Sequence, residues 1–580
     1  MVLDRPPAAA AGSSPLPKTR CVTCLLHRAA LLADYRYLRG NHDRHRRNAA
    51  SDHLVAAEKP KLDSPSNPLA MILFFGFLAA GVLYMAYSVY VDVDAAGVRT
   101  TTYLPFILLF VALLIALGFE FVNGFHDTAN AVATVIYTHS LPASVAVVWA
   151  GVFNFLGVVV SSGAVAFGII SLLPVELILQ VGTSAGFAMV FALLFAAIIW
   201  NLGTWYLGLP ASSSHTLIGS IIGVGVANAL MHGQDGTSGV DWSKATEIGY
   251  SLLLSPLFGF FAAALLLLAL KLVIRNPALY REPKGNQPPP WWIRGTLIAT
   301  CTGVSFAHGS NDGQKGMGLI MLILIGTVPT AYALNRAMPA SEMEEFLATS
   351  AAAAAIVQQK AAGYNIIGDP RPAVSLYVSR RKINEGTYPS LSVLIQDISK
   401  QVAEYGSLAR IPAAAVGNTR NDMYLASEAI RFLMKDREND LSKDEVAKLS
   451  AYKRSLDNAT KFIPLWVKVA VAIALGLGTM IGWKRIVVTV GEKIGKAHMT
   501  YGQGACAEVV AAGTIAAADM YGLPVSTTHV LSSGVAGTMA ANGSGLQWAT
   551  VRNLLMAWVL TLPAAIMLSA SLYVLFTNVF

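Results

Sequence analysis

Eight long apolar stretches are the feature that most limits what this chain can fold into. Most of them exceed the ~20 residues that an α-helix needs to cross ~30 Å of hydrocarbon. Only 13% of the residues are charged and 54% are apolar, whereas about a quarter of the residues in soluble domains are charged. The sequence therefore predicts an all-α polytopic membrane protein. The stretches are 69–91, 104–121, 141–170, 183–207, 248–274, 291–325 with an interruption, 463–483 and 554–576.

Polar stretches divide the chain into segments. Residues 1–66 carry eleven Lys and Arg against six Asp and Glu, which predicts a basic, disordered tail. It is not a signal peptide, because the first apolar run starts too late and is too long. The predicted segments are the tail 1–66, a first transmembrane helix and loop 67–103, a first transport repeat 104–275, a linker and start of the second repeat 276–331, a polar insertion 332–462, and the rest of the second repeat 463–580.

The net charge of +8 points to membrane orientation and not to a nucleic-acid partner. The basic excess lies in the tail and in short loops near 275–294 and 484–496, and basic loops stay on the cytoplasmic side. The tail and both loops are therefore expected inside. Counting one crossing on either side of it places the insertion 332–462 outside.

Two short motifs each occur twice, in the same order. The aspartate motif spans 123–130 (NGFHDTAN) and 308–315 (HGSNDGQK), and the serine motif spans 208–215 (GLPASSSH) and 522–529 (GLPVSTTH). The offsets are 185 and 314 residues, and they differ by about the length of the insertion. Two halves therefore share one plan. Together with the loop charges, this predicts an inverted-topology repeat with discontinuous helices and two re-entrant helical hairpins that meet near the midplane.

Each aspartate motif places a carboxylate within an otherwise apolar segment. An ionised carboxylate costs ~2.5–3.5 kcal/mol there on insertion scales, so Asp127 and Asp312 should face a polar cavity or bind a cation. The pair suits a proton, a sodium ion or a divalent metal, and each motif is expected to interrupt its helix. The alternative is that each aspartate only caps a helix beside Gly124 or Gly309.

Each serine motif suits an anion. Proline can start a half-helix, and consecutive hydroxyls and free backbone N–H groups then converge at its positive end. Phosphate fits a site that has many donors and little fixed charge. The alternative is that these hydroxyls only bond to their own helix or tighten helix packing. The candidate anion-binding residues are Ser212, Ser213, Ser214, Ser526, Thr527 and Thr528.

Other polar residues stand near these motifs. Asn130 and Lys315 are equivalent in the repeat, and Lys315 either neutralises the anion, pairs with Asp312 or extends to the membrane interface. His215 and His529 either cap the half-helices or relay protons. Glu508 is an unduplicated intramembrane acid that suits a second cation or proton. The candidate supporting residues are Asn123, His126, Asn311, Lys315 and Gln503.

On these residues the chain resembles the Pit/PiT family of inorganic phosphate transporters, and in particular its bacterial low-affinity Pit branch. The resemblance runs from about residue 104 to the C-terminus, through both motif pairs and through 153–157, 200–205 and 491–495. It implies that the six serine-motif hydroxyls bind phosphate. It also implies cation coupling at Asp127, Asn130 and Asp312, and by the acid Glu508.

The resemblance also bears on the coupling ion. Eukaryotic members have a glutamate where this chain has Asn154. Loss of that acid implies proton symport, with phosphate carried as a neutral complex with Mg²⁺ or another divalent metal and no permanently bound cofactor. Sodium coupling remains the alternative. The implied setting is a bacterial inner membrane. A homodimer is the candidate assembly, and the sequence leaves the oligomeric state open.

Three rival functions share some of these features. A permease for another oxyanion, such as sulfate, would have the same fold. An anion channel would show no coupling to a cation gradient. A membrane enzyme fits least, because neither serine motif forms a nucleophile elbow or a metalloprotease signature.

Overall fold

The computed structural model describes residues 59–62, 67–97, 103–127, 129–173, 184–233, 235–283, 285–361, 368–436 and 441–579. The chain divides into two compact units, Met1–Ala56 and Ala57–Phe580, and the first lies outside the described residues. Almost all of the predicted tail 1–66 therefore lies outside the described residues. The side chain of Asn130 also lies outside them. The described ranges are helical, and one isolated β-bridge joins Gly495 and Leu546.

The described part of the chain contains twenty α-helices. In chain order they are α1 Pro68–Ala95, α2 Leu104–Asp127, α3 Ala129–Tyr137, α4 Ala143–Val160, α5 Ala164–Ile170, α6 Ser184–Tyr206, α7 Ser213–Met231, α8 Trp242–Val273, α9 Trp291–Thr327, α10 Pro329–Tyr332, α11 Ala340–Lys360, α12 Arg371–Arg380, α13 Thr387–Tyr405, α14 Ala413–Lys435, α15 Lys443–Thr460, α16 Leu465–Thr479, α17 Lys484–Val488, α18 Tyr501–Met520, α19 Thr527–Asn542 and α20 Trp548–Thr577.

Seven helical segments in the described ranges are long and apolar enough to cross a membrane, and the bent pair α15 and α16 raises the number to eight. The all-helical, polytopic membrane class is therefore confirmed. The longest helix, α9, is not among the seven. Its middle carries His308, Asp312 and Lys315, all of which are buried, so this part of α9 lies inside the helical assembly.

Helix breaks occur at both serine motifs, as predicted. Residues 207–212 separate α6 from α7, and residues 521–526 separate α18 from α19. Gly208 and Gly522, which are equivalent in the repeat, have φ of 67° and 64°, a conformation that glycine adopts without steric cost. The expectation that each aspartate motif breaks its helix was wrong for the second motif. The helix α9 runs through Asp312 without interruption, because its polar groups find partners inside the protein.

Glycines allow helices of the two halves to pack closely against each other. Helix α7 packs on α20, and α19 packs on α8. A Cβ added at Gly223 would lie 2.1 Å from Ser569 Oγ, and one added at Gly537 would lie 2.1 Å from the Phe260 carbonyl oxygen. Gly223 and Gly537 are 314 residues apart, the offset of the serine motifs. Each of the two helices that begin at a serine motif therefore packs closely against a helix of the opposite half.

The polar insertion is a helical bundle of its own. Helices α11, α13, α14 and α15 pack together, and α12 packs on α13 and α14. Phe346 and Tyr452 meet edge to face in its apolar centre, with ring centroids 5.8 Å apart. Arg381 ties the bundle to the membrane helices through Asp241, with 2.8 Å between Nη2 and Oδ1.

Candidate functional site

The two serine motifs form matching helix starts. Ser212 is the N-cap of α7 and its Oγ accepts from the His215 N–H at 3.2 Å. Ser526 is the N-cap of α19 and its Oγ accepts from the His529 N–H at 3.1 Å. All six candidate anion-binding residues are buried. Two positive helix ends therefore carry buried hydroxyls, the arrangement that favours an anion.

Asp127 joins α7 and α19. Ser213 of α7 donates to its Oδ2 at 2.5 Å, and Thr528 of α19 donates to its Oδ1 at 2.8 Å. His126 Nδ1 lies 2.8 Å from the same Oδ1, and its Nε2 lies 3.1 Å from Thr204 Oγ1. The first aspartate motif and both serine motifs therefore meet at one buried carboxylate, which goes beyond a helix-capping role.

Asp312 lies beside a buried cationic side chain. Lys315 Nζ is 2.7 Å from Asp312 Oδ2 and donates to Ser213 Oγ at 3.2 Å. Lys315 is fully buried, so the prediction that it extends to the interface was wrong and pairing with Asp312 is confirmed. His308 Nε2 lies 3.3 Å from Asp312 Oδ2.

Three of these residues could hold a metal ion. One ligand atom each from Asp127, His308 and Asp312 lies within 4.8 Å of the others, and all three residues are buried. Carboxylate oxygens suit hard cations such as Mg²⁺ and Na⁺, whereas an imidazole is the more usual ligand of softer metals. The cluster therefore suits a cation next to the serine-motif hydroxyls.

The imidazole rings of the serine-motif histidines make ring contacts and do not cap. Ring centroids of His215 and His529 are 4.7 Å apart, and His529 stacks on Trp558 at 4.2 Å. Each contributes only its backbone N–H to the cap, whose side chain is a serine. The prediction that these imidazoles cap the half-helices was therefore wrong, since the shorter Ser side chain already occupies the N-cap position.

Comparison with known proteins identifies the family. The model of the phosphate transporter family (PHO4) matches residues 123–569. The low-affinity inorganic phosphate transporter PitA of Escherichia coli K12 is 43% identical over 487 residues, which are 80% of this chain and 96% of PitA. The chain belongs to the phosphate transporter family.

Two further proteins are similar. PitB of Escherichia coli K12, also named as a low-affinity inorganic phosphate transporter, is 42% identical over 486 residues, which are 80% of this chain and 96% of PitB. A solved sodium-dependent phosphate transporter has a TM-score of 0.46 and 20% identity over 82% of this chain and 100% of its own. This likeness is too weak to assign any residue. The expectations of family, of a transporter and not an enzyme, and of a membrane location are confirmed by the family and the apolar helices.

The supporting residues of this phosphate transporter family member have distinct places. Asn311 holds the second serine motif, because it donates to the Leu523 carbonyl at 3.1 Å and accepts from the Val525 N–H at 3.4 Å. Asn123 donates to Glu120 at 3.3 Å. Gln503 belongs to the capping box of Thr500 at the start of α18, and its amide nitrogen lies 3.1 Å from Ser544 Oγ. Gln503 therefore stabilises a helix end.

Glu508 forms a separate acidic position. It is buried, and its two carboxylate oxygens accept from Thr134 of α3 and Thr300 of α9. Neither threonine belongs to an aspartate or serine motif. The structure therefore places Glu508 with different partners from Asp127 and Asp312, in line with its lack of a repeat partner.

Sequence reasoning missed three polar residues of the site region. Glu120 is buried one turn before Asn123, and a Cβ on Gly316 would collide with it. His308 lies between Asp312 and Asn154, with its Nδ1 3.0 Å from Asn154 Oδ1. Asp519 accepts from Ser310 and from Gln314, each at 2.6 Å. Glu120 carried a usable signal, since it is an acid within the apolar stretch 104–121.

Proposed function

We propose that this chain carries inorganic phosphate across the bacterial inner membrane as a cation-coupled symporter that works by alternating access. Phosphate binds between the starts of α7 and α19, and the coupling cation binds at Asp127 and Asp312. The observation that carries the proposal is the convergence of Ser213 and Thr528, one from each serine motif, on Asp127. The names of the relatives support phosphate as the substrate.

The chemistry of the site supports an oxyanion with its cation. Two helix starts and six buried hydroxyl residues provide donors for phosphate oxygens. Lys315 offsets the charge of Asp312, so one of the two carboxylate charges is left to repel a bare anion unless a cation binds with it or a carboxylate is protonated. Binding of phosphate and binding of the cation are therefore coupled through charge, because each bound ion makes binding of the other more favourable.

Repeated contacts between the halves support the inverted repeat. A Cβ on Gly157 would lie 2.1 Å from the Phe306 carbonyl oxygen, and one on Gly478 would lie 2.1 Å from that of Phe121. Phe121 and Phe306 are 185 residues apart, the offset of the aspartate motifs. Matching contacts of each half on the other fit two related units that rock about a central site, with the serine motifs as re-entrant hairpins.

We propose protons as the coupling ion and a divalent metal–phosphate complex as the substrate. Asn154, which stands where sodium-coupled relatives are expected to have an acid, donates to Thr479 Oγ1 at 3.0 Å. A neutral amide in this place removes one anionic ligand for sodium. The cluster of Asp127, His308 and Asp312 supplies ligands for the metal of the complex or exchangeable protons.

The test is uptake of labelled phosphate into proteoliposomes under an imposed pH gradient, with sodium and magnesium each present or absent. We expect concentrative uptake that needs the pH gradient and magnesium and ignores sodium. Asp127→Asn should lower the initial rate at least about tenfold, because hydrogen bonds to a charged group contribute ~1.5–3 kcal/mol. Glu344→Gln, at an exposed acid of the insertion, is the matched control.

Other outcomes would revise the proposal in defined ways. Uptake that follows a sodium gradient would assign sodium coupling despite Asn154. Uptake of sulfate in preference to phosphate would assign another oxyanion. Phosphate flux that never exceeds equilibrium under any cation gradient would contradict symport and leave a channel.

A further inference from the structure

The two repeat-related aspartates have different surroundings. Asp127 accepts hydroxyl bonds from Ser213 of its own half and from Thr528 of the other half. The repeat offsets of 185 and 314 predict that Asp312 should accept from Thr527 and Ser214 in the same way. It does neither: among the residues that the structure describes, Thr527 Oγ1 has no hydrogen-bond partner, and Ser214 donates to the Val525 carbonyl at 2.8 Å.

A lysine ammonium takes the place of those two hydroxyls. Lys315 Nζ lies 2.7 Å from Asp312 and 3.2 Å from Ser213 Oγ. It thus contacts a carboxylate and a serine-motif hydroxyl at once, which are the oxygen ligands that a free cation would use here. Lys315 is fully buried, so protein groups surround the ammonium in this conformation.

The repeat shows which residue type the lysine replaces. Lys315 stands three residues after Asp312, and Asn130 stands three residues after Asp127. An amide offers an oxygen that can ligate a cation, whereas an ammonium offers only donors and a fixed positive charge. The equivalent positions therefore carry an amide in the first half and an ammonium in the second.

We propose that Lys315 is a tethered cation that permanently fills the second of two repeat-related cation sites. Of the two aspartates proposed above to bind the coupling cation, only Asp127 then takes a mobile cation, and Asp312 binds the tethered ammonium instead. This inference rests on the proposed phosphate symport and specifies its stoichiometry: each phosphate is accompanied by one mobile cation fewer than in a transporter with both sites open. It makes Lys315 a determinant of cation specificity.

The test replaces Lys315 with the residue of the equivalent position and measures the cation requirement of phosphate uptake in proteoliposomes. Lys315→Asn should reduce uptake in sodium-free buffer at least about tenfold, equivalent to 1.4 kcal/mol. Saturating sodium should restore much of that rate, because the vacated site gains an amide oxygen beside Asp312. If the wild type already uses sodium, the Hill coefficient for sodium should rise by about one in the variant.

Two further variants separate charge from ligand. Lys315→Met removes the charge and supplies no oxygen, so no cation should restore its uptake. Lys315→Arg keeps the charge, and its remaining uptake should need no added sodium. Size-exclusion chromatography in detergent checks that each variant is folded.

The outcomes separate this inference from the proposed function. A wild type that transports phosphate, with a folded Lys315→Asn variant that gains no sodium requirement, would overturn the tethered cation and leave symport intact. Sodium rescue of Lys315→Met would also overturn it. A wild type without concentrative phosphate uptake would instead refute the proposed function.

Discussion

Ser213 connects the two charged groups of the site. Its hydroxyl donates to Asp127 and accepts from Lys315. Ser213→Ala leaves both buried groups short of a partner, which costs about 1–3 kcal/mol. We expect the KM for phosphate to rise by about 5- to 150-fold, measured from initial uptake rates.

The control for this prediction is Ser220→Ala. Ser220 is also buried in α7, but it donates to the Thr216 carbonyl of its own helix. Its removal should change the KM for phosphate by less than about twofold, since such back-bonds contribute little to the helix. Equal effects of the two substitutions would show that Ser213 matters for packing and not for the site.

The sequence predicted those site residues whose polar side chains occur at equivalent positions in both copies of a motif. Asp127 and the serine-motif hydroxyls stood out because polar groups recur at fixed offsets within apolar segments. Glu120 escaped notice because its repeat position is Ser305. The burial of Lys315 could not be read from the sequence, because it depends on how α2, α4 and α16 surround α9.

The short helices α7 and α19 hold their positions through close glycine contacts. A Cβ at Gly537 of α19 would lie 2.1 Å from the Phe260 carbonyl oxygen of α8. Gly537→Ala should force the two helices apart at a cost of about 1–3 kcal/mol. We expect a melting temperature several degrees lower in detergent and a lower rate of phosphate uptake.

Gly513 provides the comparison for this prediction. It lies in α18, and a Cβ added there would meet nothing within 4 Å. Gly513→Ala should leave the melting temperature unchanged or raise it slightly, because alanine favours a helix by about 1 kcal/mol over glycine. A Gly537→Ala variant as stable as Gly513→Ala would contradict the close packing of α19 on α8.

Helix breaks followed from local sequence only where the backbone demands them. Each serine motif places a Gly and a Pro two residues apart, so α6 and α18 must end there. The second aspartate motif contains glycines but no proline, and α9 continues through it. Tertiary partners for Asp312 and Gln314 removed the reason to break the helix, and sequence alone does not reveal those partners.

For the molecule as a whole, alternating access needs two halves of opposite orientation. Five of the seven candidate spans lie between residues 104 and 273. If each crosses once, an odd number places the two ends of the first half on opposite sides of the membrane. The basic loop after α8 should then face the cytoplasm, and the start of α2 should face outward.

Cysteine labelling measures this orientation directly. Tyr103→Cys and Asn286→Cys introduce thiols at exposed positions on either side of the first half, in a background without Cys21, Cys24, Cys301 and Cys506. A membrane-impermeant maleimide added to intact cells should label position 103 and not 286, and inside-out vesicles should give the reverse. Glu344→Cys, in the insertion, should label together with position 103, because α9 alone separates it from the loop at 286.

Labelling of positions 103 and 286 from the same side would mean that the first half crosses an even number of times. The halves would then share one orientation, and the contacts between Gly157 and Phe306 and between Gly478 and Phe121 would have to arise without inversion.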